Sequence, residues 1–413
     1  MDFAHTPRAR GYLESVRHFL ESEILPAEAA HRAHLSAARE RPGPWTVPPV
    51  TAELKAAARA AGLWNLYLSD PAHGPGLTTA EYAPLAEQMG HSPLAPEVFN
   101  CNAPDTGNAE VLLHHGTREQ RDRWLAPLLA GEIRSAFCMT EPGVASSDAT
   151  TMAATAVVQG DEVVLNGRKW WSTGLGHPDC RFLVFMGLTD PAAERHRRHS
   201  MVLVPTGTPG VRIERMLPVL GHYDEPYGHG EVTFTDVRLP RDAVIGGPGH
   251  GFAIAQSRLG PGRIHHCMRL IGLAERALHL ACRRATARTA FGRPLADLGG
   301  NRERIARARI AIDQARLHVL HAAWLLDTRG PAAARGPLSQ VKAAVPAMAC
   351  DVVDMAVQLH GAAGLSDDTP LAAAYATARA LRLADGPDEV HLALVARLEL
   401  AAQQEQQQEQ EQL

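Results

Sequence analysis

The spacing of apolar residues divides this chain into three stretches. Over residues 1–132, segments such as ELKAAARAAGLWNLYL, TTAEYAPLAEQMG and REQRDRWLAPLLAGE repeat apolar side chains every three to four positions. That period lines one face of a helix. Pro and Gly breaks at RPGPWTVPP and DPAHGPG separate the segments. The first helix is expected to turn Tyr12, Val16, Phe19 and Leu20 to one side. Over residues 133–247 the runs shorten: TAVVQGDEVVLNGRKWWSTG, CRFLVFMGL, HSMVLVPTG, GVRIERML and GEVTFTDVRLP are β-branched and partly alternating. They predict an all-β domain, with Asn166-Gly167 read as the turn of a hairpin. Helical periodicity returns over residues 248–402. It predicts a helix from Gly251 interrupted at Gly260-Pro261-Gly262, one ending at a Gly330 cap and one bent at Pro346. TPLAAAYATARALRLADG and DEVHLALVARLELAAQ complete a bundle. Residues 403–413 are a low-complexity Gln/Glu tail, read as disordered or as a frayed helix extension.

The expected fold class is therefore α+β multidomain: an N-terminal α-helical domain, a central β-barrel or sandwich, and a C-terminal bundle of four-helix type. Strands and helices do not alternate, and no GxGxxG follows a strand, which sets aside the dinucleotide-binding α/β architecture.

Composition narrows the partners. With 41 Lys and Arg against 45 Asp and Glu the net charge is −4, so nucleic acid is not expected as a partner. No apolar run approaches bilayer length and the first residues lack an apolar signal core, so no membrane association and a cytoplasmic location are expected. The six cysteines form no CxxC pair. Adjacent histidines such as His114-His115 and His265-His266 point about 100° apart on a helix, so no metal site is expected.

Three short stretches carry candidate chemistry. FCMTEPGVASSDAT (137–150) offers small residues, hydroxyls and close backbone approach, suited to a polar heterocycle or phosphate and equally to a surface turn. WWSTG (170–174) sets two indoles beside hydroxyls, a core pair or a platform for a flat cofactor. ADGPDEVH (384–391) gathers Asp385, Asp388 and Glu389 around a Gly-Pro pair. Locally this reads as a polar helix start, and one of the acids is also a candidate base.

Together, TEPGVASSD, NGRKWWSTG, RTAFGRPL, QLHGAAGL and ADGPDEVH, in the helix–β–helix order, resemble the acyl-CoA dehydrogenase family of flavoproteins over about residues 10–400. The VASSDA doublet and the ADGPDEVH ending are most similar to the branch of family members 10 and 11; the kinase-like domain fused to some of those is not matched. The resemblance implies the acyl-CoA dehydrogenase fold, FAD as cofactor and an oxidoreductase of fatty acid metabolism. The reaction implied is α,β-dehydrogenation of an acyl-CoA thioester to trans-2-enoyl-CoA, with electrons passed to an electron-transferring flavoprotein.

By position, it implies that Phe137, Met139 and Thr140 touch the flavin edge. Ser146 or Ser147 touches its phosphate or the substrate, and the extra residue here leaves both open. Trp171 and Thr173 stack on the flavin and bond near N5. Arg288, with Phe291 beside it, reaches the diphosphate of a neighbouring subunit's FAD, and Gln358 and Gly361 receive that FAD's adenine half. A homodimer or homotetramer with a shared site follows. The family base is a glutamate in a YEGTSE-like segment, which aligns Asp385 as the catalytic base, supported by Arg263. The alternative position of the base falls on Gly262, which cannot serve. Glu389 is expected near FAD. Asp385, Ala384 and Pro387 depart from the family segment and leave acyl length, branching and hydroxylation open. Two alternatives follow: a flavin oxidase of nitroalkane-oxidase type, which uses an aspartate at that place, and a non-catalytic nucleic-acid-binding relative.

Overall fold

The computed structural model describes residues 4–39 and 44–411; part of the RPGPWTVPP break lies outside them. The chain begins with helices α1 (Pro7–Phe19), α2 (Leu25–Arg39), α3 (Pro49–Ala60), α4 (Thr79–Met89), α5 (Ala95–Val98), α6 (Asp105–His115), α7 (Arg118–Gln120) and α8 (Ala126–Leu129). Helix α1 is capped by Thr6, whose Oγ1 accepts from the Ala9 amide at 3.2 Å. It buries Ala9, Leu13, Val16 and Phe19, so Leu13 rather than Tyr12 faces the core.

Eight strands follow: β1 (Arg134–Cys138), β2 (Thr155–Gln159), β3 (Glu162–Thr173), β4 (Cys180–Leu188), β5 (His199–Pro205), β6 (Val211–Leu217), β7 (His229–Pro240) and β8 (Val244–Ile245). They form one sheet in the order β6-β7-β3-β2-β4-β5-β8, with β1 paired in parallel to β4. Val163, Leu165, Leu183, Phe185, Val202, Val204, Val232 and Phe234 pack into its core.

Asn166-Gly167 is not a turn. Strand β3 runs through it, and the β2–β3 hairpin closes six residues earlier, at Gln159–Glu162, around Gly160. The register of β3 against β7 slips at Leu165/Gly167, which makes the pair a bulge. A Cβ at Gly167 would lie 2.4 Å from Ala154 Cβ, so glycine is needed there for close strand approach.

The remaining elements are α9 (Gly251–Ala287), the two-residue strands β9 (Thr289–Ala290) and β10 (Arg293–Pro294), α10 (Asn301–His360), α11 (Leu371–Ala380) and α12 (Asp388–Glu411). Helix α9 continues through Gly260-Pro261-Gly262, where an interruption was expected. Proline removes a single backbone donor, and the bonds on either side carry the helix across. Helix α10 departs from helical dihedrals at Gly330, as its glycine suggests, and not at Pro346. The Gln/Glu tail continues α12 as an exposed helix to Glu411. Among the described residues, no helix is long and apolar enough to cross a membrane.

Residue contacts divide the chain into two compact units. One holds Met1–Leu20, Leu77–Ala95 and Arg263–Leu413; the other holds Glu21–Gly76 and Pro96–Gly262. The second unit anchors β1 through a buried polar network. Arg134, 2 % exposed, donates to Asn100 Oδ1 at 2.8 Å, to Asp105 Oδ2 at 3.2 Å and to Glu97. Asp105 also accepts from the Ser135 amide at 2.8 Å. Burial lifts the Asp105 carboxyl to about 6 and lowers the Lys55 ammonium, paired with Glu97 at 2.9 Å, to about 7. Every polar atom tied in this way fixes the strand that leads into Phe137 and Thr140.

Candidate active site

In the second unit, the loop after β1 is shaped by Glu141. Its carboxylate, 6 % exposed, accepts from the Ala153 and Ala154 amides at 2.8 and 3.0 Å and from Lys169 Nζ at 2.7 Å. Lys169 also donates to the Met139 carbonyl at 2.9 Å, and the Trp170 amide donates to the Thr140 carbonyl at 3.0 Å. The Met139 and Thr140 carbonyls are thereby tied to the end of β3. The Phe137 ring is covered by the Arg258 guanidinium, 3.8 Å from its centroid. Ser146 turns inward, where its Oγ accepts from the Glu141 amide at 2.9 Å, while Ser147 is exposed. The two candidate serines thus differ: Ser146 closes the loop and Ser147 presents its hydroxyl outward.

At the end of β3 the register against β7 slips between Lys169 and Ser172, and Trp171 adopts φ +52°. A bulky residue in that region is strained unless its surroundings hold it. The indole is 39 % exposed and leans on His229, with ring centroids 5.7 Å apart. His229 Nδ1 lies 2.9 Å from Thr173 Oγ1, so Trp171 and Thr173 share one histidine support. Burial lowers the His229 imidazole and raises the neighbouring Asp224 carboxyl. An open aromatic face beside a held hydroxyl suits a flat heterocycle, and this part of the fold fits a flavin ring.

In the first unit, the turn before α12 carries Asp385 at φ +56° and Gly386 at φ +103°. The Asp385 carbonyl accepts from Arg263 Nε at 3.1 Å and from His391 Nε2 at 3.2 Å. The Gly386 carbonyl accepts from Lys342 Nζ at 3.3 Å, and the Leu381 carbonyl accepts from the same ammonium at 2.6 Å. A Cβ at residue 386 would lie 2.8 Å from His391 Nε2, so the clamp requires glycine. These bonds go to the backbone. They leave the Asp385 carboxylate, 19 % exposed, to project with His266 Nε2 3.4 Å from its Oδ2.

The surroundings of this carboxylate are cationic. Burial lowers the Lys342 ammonium and the Arg263 guanidinium, and in both the nearby Asp385 charge opposes the fall. Burial, reinforced by Arg263 and Lys342, lowers His391 to about 4, which keeps it neutral. Its Nε2 faces a carbonyl and so carries the proton. Of the other acids in ADGPDEVH, Asp388 accepts from Arg382 Nε at 2.7 Å across the start of α12, and Glu389 is exposed. They keep the helix-start role, and only Asp385 is built into a clamp.

Elsewhere in the first unit, the two-residue turn Phe291-Gly292 joins β9 to β10, with both residues at positive φ. Phe291 is 95 % exposed, and Arg288 is exposed one turn away. Arg284 Nη2 donates to the His360 carbonyl at 3.4 Å, bringing the end of α9 beside exposed Gln358 and Gly361. An exposed guanidinium and a helix end suit an anionic, partly aromatic ligand such as a dinucleotide.

Lys169, Lys342, His229, His266 and His391 did not stand out as site residues in the sequence. One signal was available: the chain has three lysines, Lys55, Lys169 and Lys342, among 41 basic residues. None of the three is exposed, and each is paired with a carboxylate or with carbonyls. In a chain that uses arginine for its surface charge, a lysine in an apolar helix such as SQVKAAV marks an interior contact.

Family models for the N-terminal, middle and C-terminal domains of acyl-CoA dehydrogenase match residues 6–132, 136–237 and 249–400. The chain belongs to the acyl-CoA dehydrogenase family. It is 52% identical over 402 residues to "Probable acyl-CoA dehydrogenase FadE2" of Mycobacterium tuberculosis, covering 97% of both chains. It is 51% identical over 403 residues to acyl-CoA dehydrogenase family member 10 of Mus musculus, covering 96% of this chain and 37% of that protein. A Mycobacterium abscessus structure solved under the name of an acyl-CoA dehydrogenase shares 66% identity at a TM-score of 0.94, covering 97% of this chain and 99% of that one. The chain therefore spans little more than a third of family member 10 and nearly all of FadE2. The expected three-part fold, helical, sheet and helical, is that of the family.

Proposed function

We propose that this chain catalyses FAD-dependent α,β-dehydrogenation of an acyl-CoA thioester, giving trans-2-enoyl-CoA. The observation that carries the reading is the clamped turn at Asp385. Its backbone is held by Arg263, His391 and Lys342 at a positive φ, through bonds that go to carbonyls rather than to its carboxylate.

Asp385 takes the α-proton. A thioester α-proton is weakly acidic, so a base must be fixed within hydrogen-bond reach and protected from bulk water. A carboxylate on a clamped turn meets the first need, and its burial among protein groups helps with the second. Aspartate is one methylene shorter than glutamate, and the left-handed backbone at residue 385 is what sets the reach of the shorter side chain. Arg263 supports the base through its backbone carbonyl rather than through its charge alone.

FAD is the cofactor, and when bound it supplies the acceptor for the β-hydride. Trp171 gives the ring a stacking face and Thr173 a hydroxyl near its reactive edge, while Phe137, Met139 and Thr140 line the edge. Ser147 is favoured over Ser146 as the hydroxyl toward phosphate or substrate, because Ser146 is engaged in closing its own loop. Arg288, Phe291, Gln358 and Gly361 serve the diphosphate and adenine of a neighbouring subunit's FAD, with Glu389 near it, in a homodimer or homotetramer. The electron acceptor is an electron-transferring flavoprotein, and the location is the cytoplasm. The oxidase alternative finds no support among these relatives.

The test is an anaerobic titration of the flavin-loaded protein with a panel of acyl-CoAs, beside Asp385→Asn. Bleaching of the flavin by one acyl class, lost in the variant, is expected. No bleaching by any thioester would overturn the dehydrogenase reading, and equal bleaching in the variant would remove Asp385 as the base.

A further inference from the structure

Two side chains of α9 stand behind the Asp385 carboxylate. His266 Nε2 lies 3.4 Å from Asp385 Oδ2, and Arg269 Nη2 lies 3.2 Å from His266 Nδ1. A guanidinium donates and never accepts. Nδ1 of His266 must therefore be the acceptor, which places the imidazole proton on Nε2, the nitrogen that faces Asp385. The three groups form a line, Arg269 to His266 to Asp385, with the imidazole N–H on the side of the carboxylate.

Helix spacing explains the line. Residues 266 and 269 are three apart and lie on one face of α9, and Arg263 lies three residues earlier on the same face. The helix thus presents an arginine to the carbonyl of Asp385 and a histidine to its carboxylate.

We propose that His266, held in its Nε2–H form by Arg269, is a positioning residue for Asp385, orienting the carboxylate from the side of Oδ2. The proposal rests on the reading of Asp385 as the base. At 3.4 Å the contact is longer than a formed hydrogen bond, and catalytic contacts of this kind tighten when substrate excludes water. A neutral donor suits the task. It orients the carboxylate and favours its ionised form, without adding a full charge to the Arg263 and Lys342 already beside it.

Other titratable groups also face Asp385: Arg263 and Cys267 from α9, Lys342 from α10, and His391 at the start of α12, while Asp388 acts on Lys342 beside it. The test must therefore change the line one residue at a time. Three variants of the flavin-loaded protein serve: His266→Leu, His266→Gln and Arg269→Met. Glutamine keeps an N–H donor near the Nε2 position, and leucine removes it.

With His266→Leu, kcat is expected to fall roughly tenfold or more, with a much smaller change in KM. The acid limb of the pH profile should move up by about one unit, because the ionised carboxylate has lost a donor. Glutamine should restore both, and Arg269→Met should fall between. An infrared titration of the carboxyl band that disappears in Asp385→Asn reads the same shift without turnover. An unmoved acid limb and an unmoved carboxyl band in His266→Leu would overturn the proposal, as would a glutamine variant as impaired as leucine. If instead Asp385→Asn keeps turnover while the carboxyl band shifts in His266→Leu, the base assignment fails and the coupling between the two residues stands.

Discussion

Lys342 Nζ lies 2.6 Å from the carbonyl oxygen of Leu381 and 3.3 Å from that of Gly386, so one buried ammonium ties the two ends of the turn that carries Asp385. Lys342 is fully buried. Its charge offsets two carbonyls that would otherwise lose their partner, and it contributes to the field around the carboxylate.

Removing that ammonium should cost both stability and rate. For Lys342→Met we expect a loss of about 3 kcal/mol in chemical denaturation, the scale of a buried charged donor removed from carbonyl partners. A larger relative loss in kcat should accompany it. Stability equal to the parent's would show that the turn holds itself.

Gly386→Ala tests the geometry more narrowly. The added Cβ meets His391 Nε2 at 2.8 Å, at a backbone φ of +103°. A shift of about 1 Å at the carboxylate is enough for roughly a hundredfold loss of rate. Steady-state kinetics of the variant, with its flavin content measured in parallel, would show whether the loss lies in catalysis or in folding.

His391 gives the molecule an acid-sensitive joint. Its folded value is about 4 against 6.5 for an ordinary imidazole, so the unfolded chain binds more protons between those values. Stability should be intact above about pH 6.5 and decline as the pH falls towards 4, by on the order of 3 kcal/mol from this group. Thermal melts of the parent and of His391→Asn across that range would differ in slope, the variant being flatter.

Trp171→Ala should weaken FAD binding by about tenfold, the value of one aromatic stacking contact, while Trp171→Phe keeps most of it. Fluorescence titration of flavin-stripped protein measures this directly. Equal affinity in all three proteins would remove Trp171 from the flavin site.

The shared cofactor site has a test of its own. If Arg288 serves the neighbour's FAD, Arg288→Ala and Trp171→Ala chains each bind poorly alone, and mixed dimers recover one sound site. Recovery of flavin at about a quarter of all sites is expected on mixing and refolding, since half of the dimers are mixed and each has one sound site. No recovery would place Arg288 within its own chain's site or outside any.

The order of helices, strands and helices was legible because periods of 3.6 and 2 are written locally in the chain, and each element needs only its own residues to declare its face. The family motifs picked out Trp171, Phe291 and Asp385, and all three adopt positive φ, as do Asn65, Asn100, Leu220 and Asp236. What local reading missed were features set by contacts from far along the chain. Asn166-Gly167 has the composition of a hairpin turn, and the packing of Ala154 against Gly167 makes it a bulge instead. Gly260-Pro261-Gly262 has the composition of a break, and the long helix carries it.

For the site, residue type and order were enough for the family and for the acid that aligns with its base. How that acid is held depends on the fold. Lys342 is 43 positions before Asp385, Arg263 is 122 before it, and His391 follows six positions after it on the next helix. Nothing in their local sequence marks them as partners. They meet because three helices bury one turn among them, and a buried carbonyl or ammonium must find a partner wherever the fold supplies one.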